Sequence, residues 1–132
     1  MAFLKELKKE DSIKLYKYSG KDLKLEKDEA LIDDKSYVRV CFVDLETTGL
    51  DFVGDEIIEI GIKTVAINKA DYSDFKAIKA YESYQDTEIE ISSEITQLTG
   101  ISKDMVAGHS IEWGKVREIL AISDIVVAHN AS

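Results

Sequence analysis

Between Val38 and Val43 the chain reads Val-Arg-Val-Cys-Phe-Val, β-branched and apolar on both sides of a two-residue repeat, and it runs straight into Asp44-Leu45-Glu46. That texture fits a central strand covered on both faces, beginning at Tyr37. The remaining elements must be arranged around it. The next apolar run, Ile57 to Ile67, alternates in its first half and follows the turn-prone segment Thr-Gly-Leu-Asp-Phe-Val-Gly-Asp, so a second strand is expected. A third, Phe75 to Tyr84, follows an Asn-Lys-Ala-Asp turn, and the three form an antiparallel meander.

Helical signals come next. Ser93 is placed to cap a short helix through Leu98 that stops at Gly100, and Ser102 to cap another that stops near Gly108. A longer helix is expected after Ser110, with Trp113, Val116, Ile119 and Leu120 as an inward, core-forming stripe. Asp124 to His129 then reads as a strand reached by a helical crossover and therefore parallel in the sheet. The fold class is α/β, with a mixed sheet of three antiparallel strands, helices, then a parallel strand.

Residues 1–36 differ in composition, with nine Lys against nine acids and only weak apolar periods, and are expected to be a charged N-terminal arm of helix-plus-hairpin type. The sheet and helices then occupy residues 37–132. The formal charge of -9 falls entirely there, because eight basic residues face 17 acidic ones beyond residue 36. A protein gripping nucleic acid mainly through phosphates is expected to be basic, so the balance argues against a nucleic-acid coat. It leaves room for one whose carboxylates meet phosphates through divalent cations. No apolar run reaches the length of a membrane span, and no signal-peptide core follows the N-terminal Met-Ala-Phe-Leu-Lys. With Cys41 as a single, apolar-flanked thiol, a cytoplasmic protein with an ordinary buried cysteine is expected.

The chemistry concentrates at Asp44-Leu45-Glu46-Thr47-Thr48-Gly49-Leu50. Residues i and i+2 of a strand share a face, which puts Asp44 and Glu46 on one side about 6–7 Å apart at the backbone, with Leu45 directed to the opposite layer. Two carboxylates at the end of a buried strand repel each other and resist desolvation unless a cation lies between them. Mg²⁺ or Mn²⁺ suits such a pair, since hard cations take oxygen ligands and keep positions for water and phosphate. Taken alone, Asp-x-Glu is equally the mark of two solvated strand-end acids. Gly49 sharpens the pattern, because a glycine there allows close backbone approach to a ligand or a positive φ.

The motif resembles the first exonuclease motif of the DEDD superfamily of 3′→5′ exonucleases, whose members include proofreading subunits of bacterial DNA polymerase III. Ile57-Ile58-Glu59-Ile60-Gly61 resembles the family's second strand. Ile95-Thr96-Gln97-Leu98-Thr99-Gly100-Ile101 resembles the helix and turn of its DnaQ-like, DEDDh branch, and Ala128-His129-Asn130-Ala131 the start of the second motif. The resemblance spans residues 37–132 and implies a ribonuclease H-like fold. It implies that Asp44 and Glu46 bind two catalytic divalent ions, one activating a water and the other stabilising the leaving 3′-oxygen. It further implies that Thr47, Thr48, Gly49 and Leu50 bind the terminal nucleotide, with Leu50 against its base, and that His129 and Asn130 lie close by. Single-stranded DNA or 3′ ends are the implied substrates, RNA being possible, and a DNA polymerase subunit is a possible partner.

The family's third metal-binding Asp, general-base His and last Asp find no match here. Asp124 starts its strand, at the wrong end, and His109 reads as an exposed loop residue. The chain is thus expected to end within the second motif, to lack the C-terminal part of the domain, and to be inactive alone. Apolar surface near the first and last core strands is expected to be exposed and to drive self-association. Two further readings stand beside the exonuclease: a non-catalytic nuclease-fold module that binds a polymerase, and a ribonuclease H-like endonuclease. Residues following Ser132 would separate the first of these from catalysis.

Overall fold

A computed structural model describes residues 3–7, 13–17 and 25–129 of the chain. Strands β1 (Phe3–Leu7) and β2 (Ile13–Lys17) pair as an antiparallel hairpin. Glu29–Ile32 makes one 3-10 turn, started by the Asp28 carboxylate, which accepts the Ala30 N–H at 3.0 Å. The residues before that turn run beside β5 (Phe75–Tyr84), with Lys27 opposite Ala77 and ion pairs Lys76–Glu26 and Lys79–Glu29 alongside.

The main sheet adds β3 (Tyr37–Thr47), β4 (Ile57–Asn68) and β6 (Ile125–Ala128), in the spatial order β5-β4-β3-β6. The meander β3-β4-β5 is antiparallel, as its strand and turn pattern predicts, and β6 lies parallel to β3, as its helical crossover predicts. Between β5 and β6 come helices α1 (Ser93–Thr99), α2 (Lys103–Val106) and α3 (Trp113–Ala121). The cap of α1 is Ser92 rather than Ser93, its hydroxyl accepting the Ile95 N–H at 3.2 Å, and Gly100 ends the helix at φ 80°. A left-handed residue at that position satisfies the last carbonyls without a Cβ penalty.

One face of the sheet is packed. Cys41, Ile60 and Ile62 meet Ile111, Val116 and Ile119, while Ile58, Ile101 and Val106 form a second buried group. The expected α3 stripe needs correction at both ends, because Trp113 is 44% and Leu120 36% exposed. Only the helix face centred on Val116 and Ile119 meets the sheet, and Ile111, just before the helix, fills the place given to the tryptophan.

The opposite face of β3 also departs from expectation, since a central strand was expected to be covered on both sides. The cross-strand row Phe42, Lys63, Ala80 is solvent-exposed, with Phe42 at 46%. Beside it the β6 residues Ile125, Val126 and Val127 are exposed as well. Among the described residues nothing packs there, so the expected open apolar surface near β3 and β6 is present. Leu45, directed to the other layer, is itself half-exposed.

Asp124 anchors the start of β6 to the start of β3. Its carboxylate accepts two bonds from the Arg39 guanidinium, at 2.9 and 2.7 Å, and the Arg39 backbone N–H at 2.7 Å, while Arg39 also donates to the Ile32 carbonyl. Hydrogen bonding to Arg39 holds the Asp124 carboxyl down at about 2, below its ordinary 3.8. A carboxyl depressed by folding stabilises the fold above its ordinary value, and that contribution disappears as pH falls through the folded value. Solvent screening of this half-exposed pair limits it to about 1 kcal/mol. Asp124→Asn is therefore expected to lower stability by about that amount at pH 7 and to flatten the stability loss between pH 4 and pH 2 in urea melts.

Candidate active site

Pairing of β3 with β4 runs without a break from Tyr37 to Glu46 and shifts register only between Glu46 and Thr47. Regular alternation therefore holds across Asp44-Leu45-Glu46, and the two carboxylates share the open face. Cross-strand neighbours add two acids that the sequence reading missed. Glu46 lies opposite Glu59, and Asp44 lies opposite Gly61, which is in turn opposite Glu82. Burial first, then the charges of Glu46, Glu82 and Asp44, pushes the Glu59 carboxyl up from its ordinary value. Nothing local to Glu59 or Glu82 announces this grouping. Only the register of three strands assembles it, though the alternation Glu59-Ile60-Gly61 does put Glu59 on the side opposite buried Ile60.

The side chain in contact with Asp44 is an imidazole. His129 Nδ1 stands 3.2 Å from Asp44 Oδ1, and the His129 backbone N–H donates to the Val43 carbonyl at 3.1 Å, which fixes the residue beside the strand end. As a hydrogen bond this contact requires the tautomer with its proton on Nδ1, because a carboxylate only accepts. No Lys or Arg among the described residues forms an ion pair with Asp44 or Glu46. The desolvation expected of the two carboxylates is not seen at Asp44, whose side chain is 60% exposed, while Glu46 is partly buried. Water reaching Asp44 screens its repulsion from Glu46, which is weaker than it would be at a buried strand end. Asn130 lies outside the described residues. His109 is exposed, edge-on to Tyr84, in the loop after α2.

The loop that follows is tied to itself. Thr48 is buried, donating its hydroxyl to Asp55 Oδ1 at 2.8 Å and accepting the Glu56 N–H at 3.0 Å, and its backbone N–H donates to the Glu56 carbonyl at 2.9 Å. Asp55 Oδ2 accepts the Asp51 N–H at 2.8 Å, and Thr47 donates its hydroxyl to the Gly49 carbonyl at 2.5 Å. A Cβ at Gly49 would stand 2.4 Å from Asp55 Oδ2, in a carboxylate already held by the Thr48 hydroxyl and the Asp51 N–H, so a larger residue there must displace it. Leu50, by contrast, is 96% exposed. Thr48→Val keeps the shape and deletes both hydroxyl bonds, so it is expected to cost about 1–3 kcal/mol in chemical melts, with the loop amides exchanging faster with solvent.

Among the described residues, no three His, Cys, Asp or Glu side chains gather closely enough to enclose an ion. The donor set that does exist fits a hard divalent cation with most of its shell supplied from elsewhere: two carboxylates, all-oxygen, on an open face. Room is available too, since no heavy atom lies within 4 Å of where a Gly61 Cβ would project, beside Asp44.

The mixed sheet with its parallel fourth strand and connecting helices is a ribonuclease H-like fold. Two solved structures share it: a full-length 3′-exonuclease, at TM-score 0.51 and 18% identity over 74% of this chain and 36% of that one, and a 3′-exonuclease described in 3′-end recognition of a histone mRNA stem-loop, at TM-score 0.50 and 20% identity over 74% and 48%. The RNase T exonuclease family model matches residues 41–132, and the chain belongs to this DnaQ-like exonuclease family. Its relatives include PolC-type DNA polymerases III of Caldanaerobacter subterraneus subsp. tengcongensis, 39% identical over 95 residues and 67% of this chain, and of Bacillus subtilis, 33% identical over 104 residues and 77% of it. The chain spans 6% of the length of each of these polymerases. Among the described residues no helix is long and apolar enough to cross a membrane.

Proposed function

We propose that this chain carries the metal-holding end of a 3′→5′ exonuclease domain that removes terminal nucleotides from DNA, in proofreading or repair. The observation that carries it is the pair Asp44 and Glu46 on one open face, ion-paired to no Lys or Arg among the described residues, in a chain of the exonuclease family. Asp44 and Glu46 would hold the divalent ions, Mg²⁺ or Mn²⁺, two in a complete site. Bound there, such ions supply Lewis-acid activation of water and charge neutralisation at the leaving 3′-oxygen. Thr47, Gly49 and Leu50 would cradle the terminal nucleotide, Leu50 offering an apolar surface to its base, while Thr48 acts from inside by holding the loop in shape. His129 would orient Asp44 through its Nδ1–H.

With no three side chains placed to enclose an ion among the described residues, hydrolysis by these 132 residues alone is expected to be very slow, and cation-dependent capture of a single strand to be the measurable property. Fluorescence anisotropy of a 5′-labelled single-stranded DNA should rise with the protein in Mn²⁺ and not in EDTA, and Asp44→Asn should remove the effect. Equal binding in EDTA would contradict the proposal. The scarcity of donors also favours a second reading, a nuclease-fold module that docks on a polymerase without cutting. Binding a polymerase while failing to capture single strands in Mn²⁺ would select it.

The PolC-type relatives support association with a DNA polymerase, and the buried, free Cys41 suits the cytoplasm. Exposed Phe42, Ile125, Val126 and Val127 support self-association in isolation. A sedimentation profile that stays monomeric through the micromolar range would refute that expectation.

A further inference from the structure

Three large apolar side chains project from the loop between β3 and β4 into solvent, Leu50 at 96%, Phe52 at 94% and Val53 at 95% exposed. The loop leaves β3 at the end that bears Asp44 and Glu46 and rejoins β4 at Ile57, opposite Thr47. Its shape is set by its own polar groups: Asp51 Oδ1 accepts the Val53 N–H at 3.1 Å, the Asp55 N–H donates to the Asp51 carbonyl at 3.0 Å, and Asp55 grips Thr48 and the Asp51 N–H. Both loop aspartates are thus engaged with the loop itself. A backbone held in this way presents Phe52 at low entropic cost to whatever meets it.

Residues 48–56 contain no Lys or Arg, so this loop offers phosphates no cationic side chain. Across residues 37–132 acids outnumber basic residues 17 to eight, which denies the domain the usual phosphate-based affinity for nucleic acid. Affinity for a single strand must then come from cations at the carboxylates and from the uncharged faces of bases. An exposed aromatic ring on a pinned loop at the site's edge meets the second need, because every base offers a π-face to stack on.

We propose that Phe52 stacks on a nucleobase upstream of the terminal nucleotide and so positions the single strand, an inference that rests on the proposed exonuclease function. Phe52 touches no reacting atom in this scheme and acts as a positioning residue. Being almost fully exposed, it can be replaced without loss of fold.

The test compares an all-thymidine oligonucleotide with one of the same length carrying abasic sites upstream of its 3′ end, by anisotropy in Ca²⁺. Phe52→Ala is expected to weaken binding of the base-bearing strand about 5- to 150-fold, to leave the abasic strand unchanged, and to leave the salt dependence of binding unchanged. Phe52→Trp is expected to restore wild-type affinity within about twofold, since stacking tolerates any flat ring. Equal weakening of both strands by Phe52→Ala, or none of either, would overturn the stacking proposal while leaving cation-dependent capture at Asp44 intact. Absence of all cation-dependent binding by the wild-type chain would overturn the exonuclease function and the stacking with it.

Discussion

Asp44→Ala is expected to lower Mn²⁺ affinity by a factor on the order of 10 to 100 while leaving the melting temperature unchanged or slightly raised. The affinity falls because hard cations depend on ligand charge, and the described site offers Asp44 and Glu46 with no third donor close enough to compensate. Stability holds because the Asp44 side chain is 60% exposed and makes one side-chain contact, to His129, worth little across water. Removing Asp44 also removes one of the three negative charges that press on Glu59, which relieves the fold. Isothermal titration with Mn²⁺, run beside thermal melts of both proteins, checks the two halves together. A variant that lost metal affinity only by unfolding would betray itself in the melt.

The largest effect on stability is expected at Ile58. This side chain is fully buried, and with Ile101 and Val106 it joins β4 to the chain around α1 and α2, with Tyr84, Ile91 and Ile95 packed around it. Ile58→Ala removes those contacts and leaves a cavity, at a cost of about 2–5 kcal/mol. Domains of this size have about 5–15 kcal/mol in total, so the midpoint of a thermal melt followed by circular dichroism should fall by roughly 10 °C or more. Ile58→Val should cost only about 0.5–1.5 kcal/mol, and Leu50→Ala, at an exposed position, less than about 0.5 kcal/mol. Equal losses for Ile58→Ala and Leu50→Ala would refute the assignment of the core to this face.

Much of this architecture is written locally. The β-branched run ending at Val43, the alternation from Ile57 and the Asn-Lys-Ala-Asp turn specify β3, β4 and β5, because strand periodicity and turn chemistry act over a few residues. Gly100 and Gly108, at φ 80° and 74°, likewise announce chain turns that only glycine adopts cheaply. Asp44 and Glu46 could be paired from the sequence for the same reason, being two residues apart on one strand. Glu59 and Glu82 could not, since their approach to Asp44 depends on register between strands far apart in the chain. Trp113 shows the complementary failure: helical spacing put it on an inward stripe, yet only the middle of a nine-residue helix meets the sheet. At Gly49 the Asp55 carboxylate stands where a Cβ would be, a contact that no local pattern announces because it is set by the course of an entire loop.

The most direct test of the cation-holding site is a paramagnetic one, with substoichiometric Mn²⁺ added to ¹⁵N-labelled protein and amide signals followed by NMR. Signals of residues 44–47, of Glu59 to Gly61 and of His129 should broaden first and together, with Asp44→Asn abolishing the effect. Broadening that spreads evenly over other acidic stretches, such as Asp71–Asp74 or Glu88–Glu90, and survives Asp44→Asn would contradict a cation site at Asp44 and Glu46.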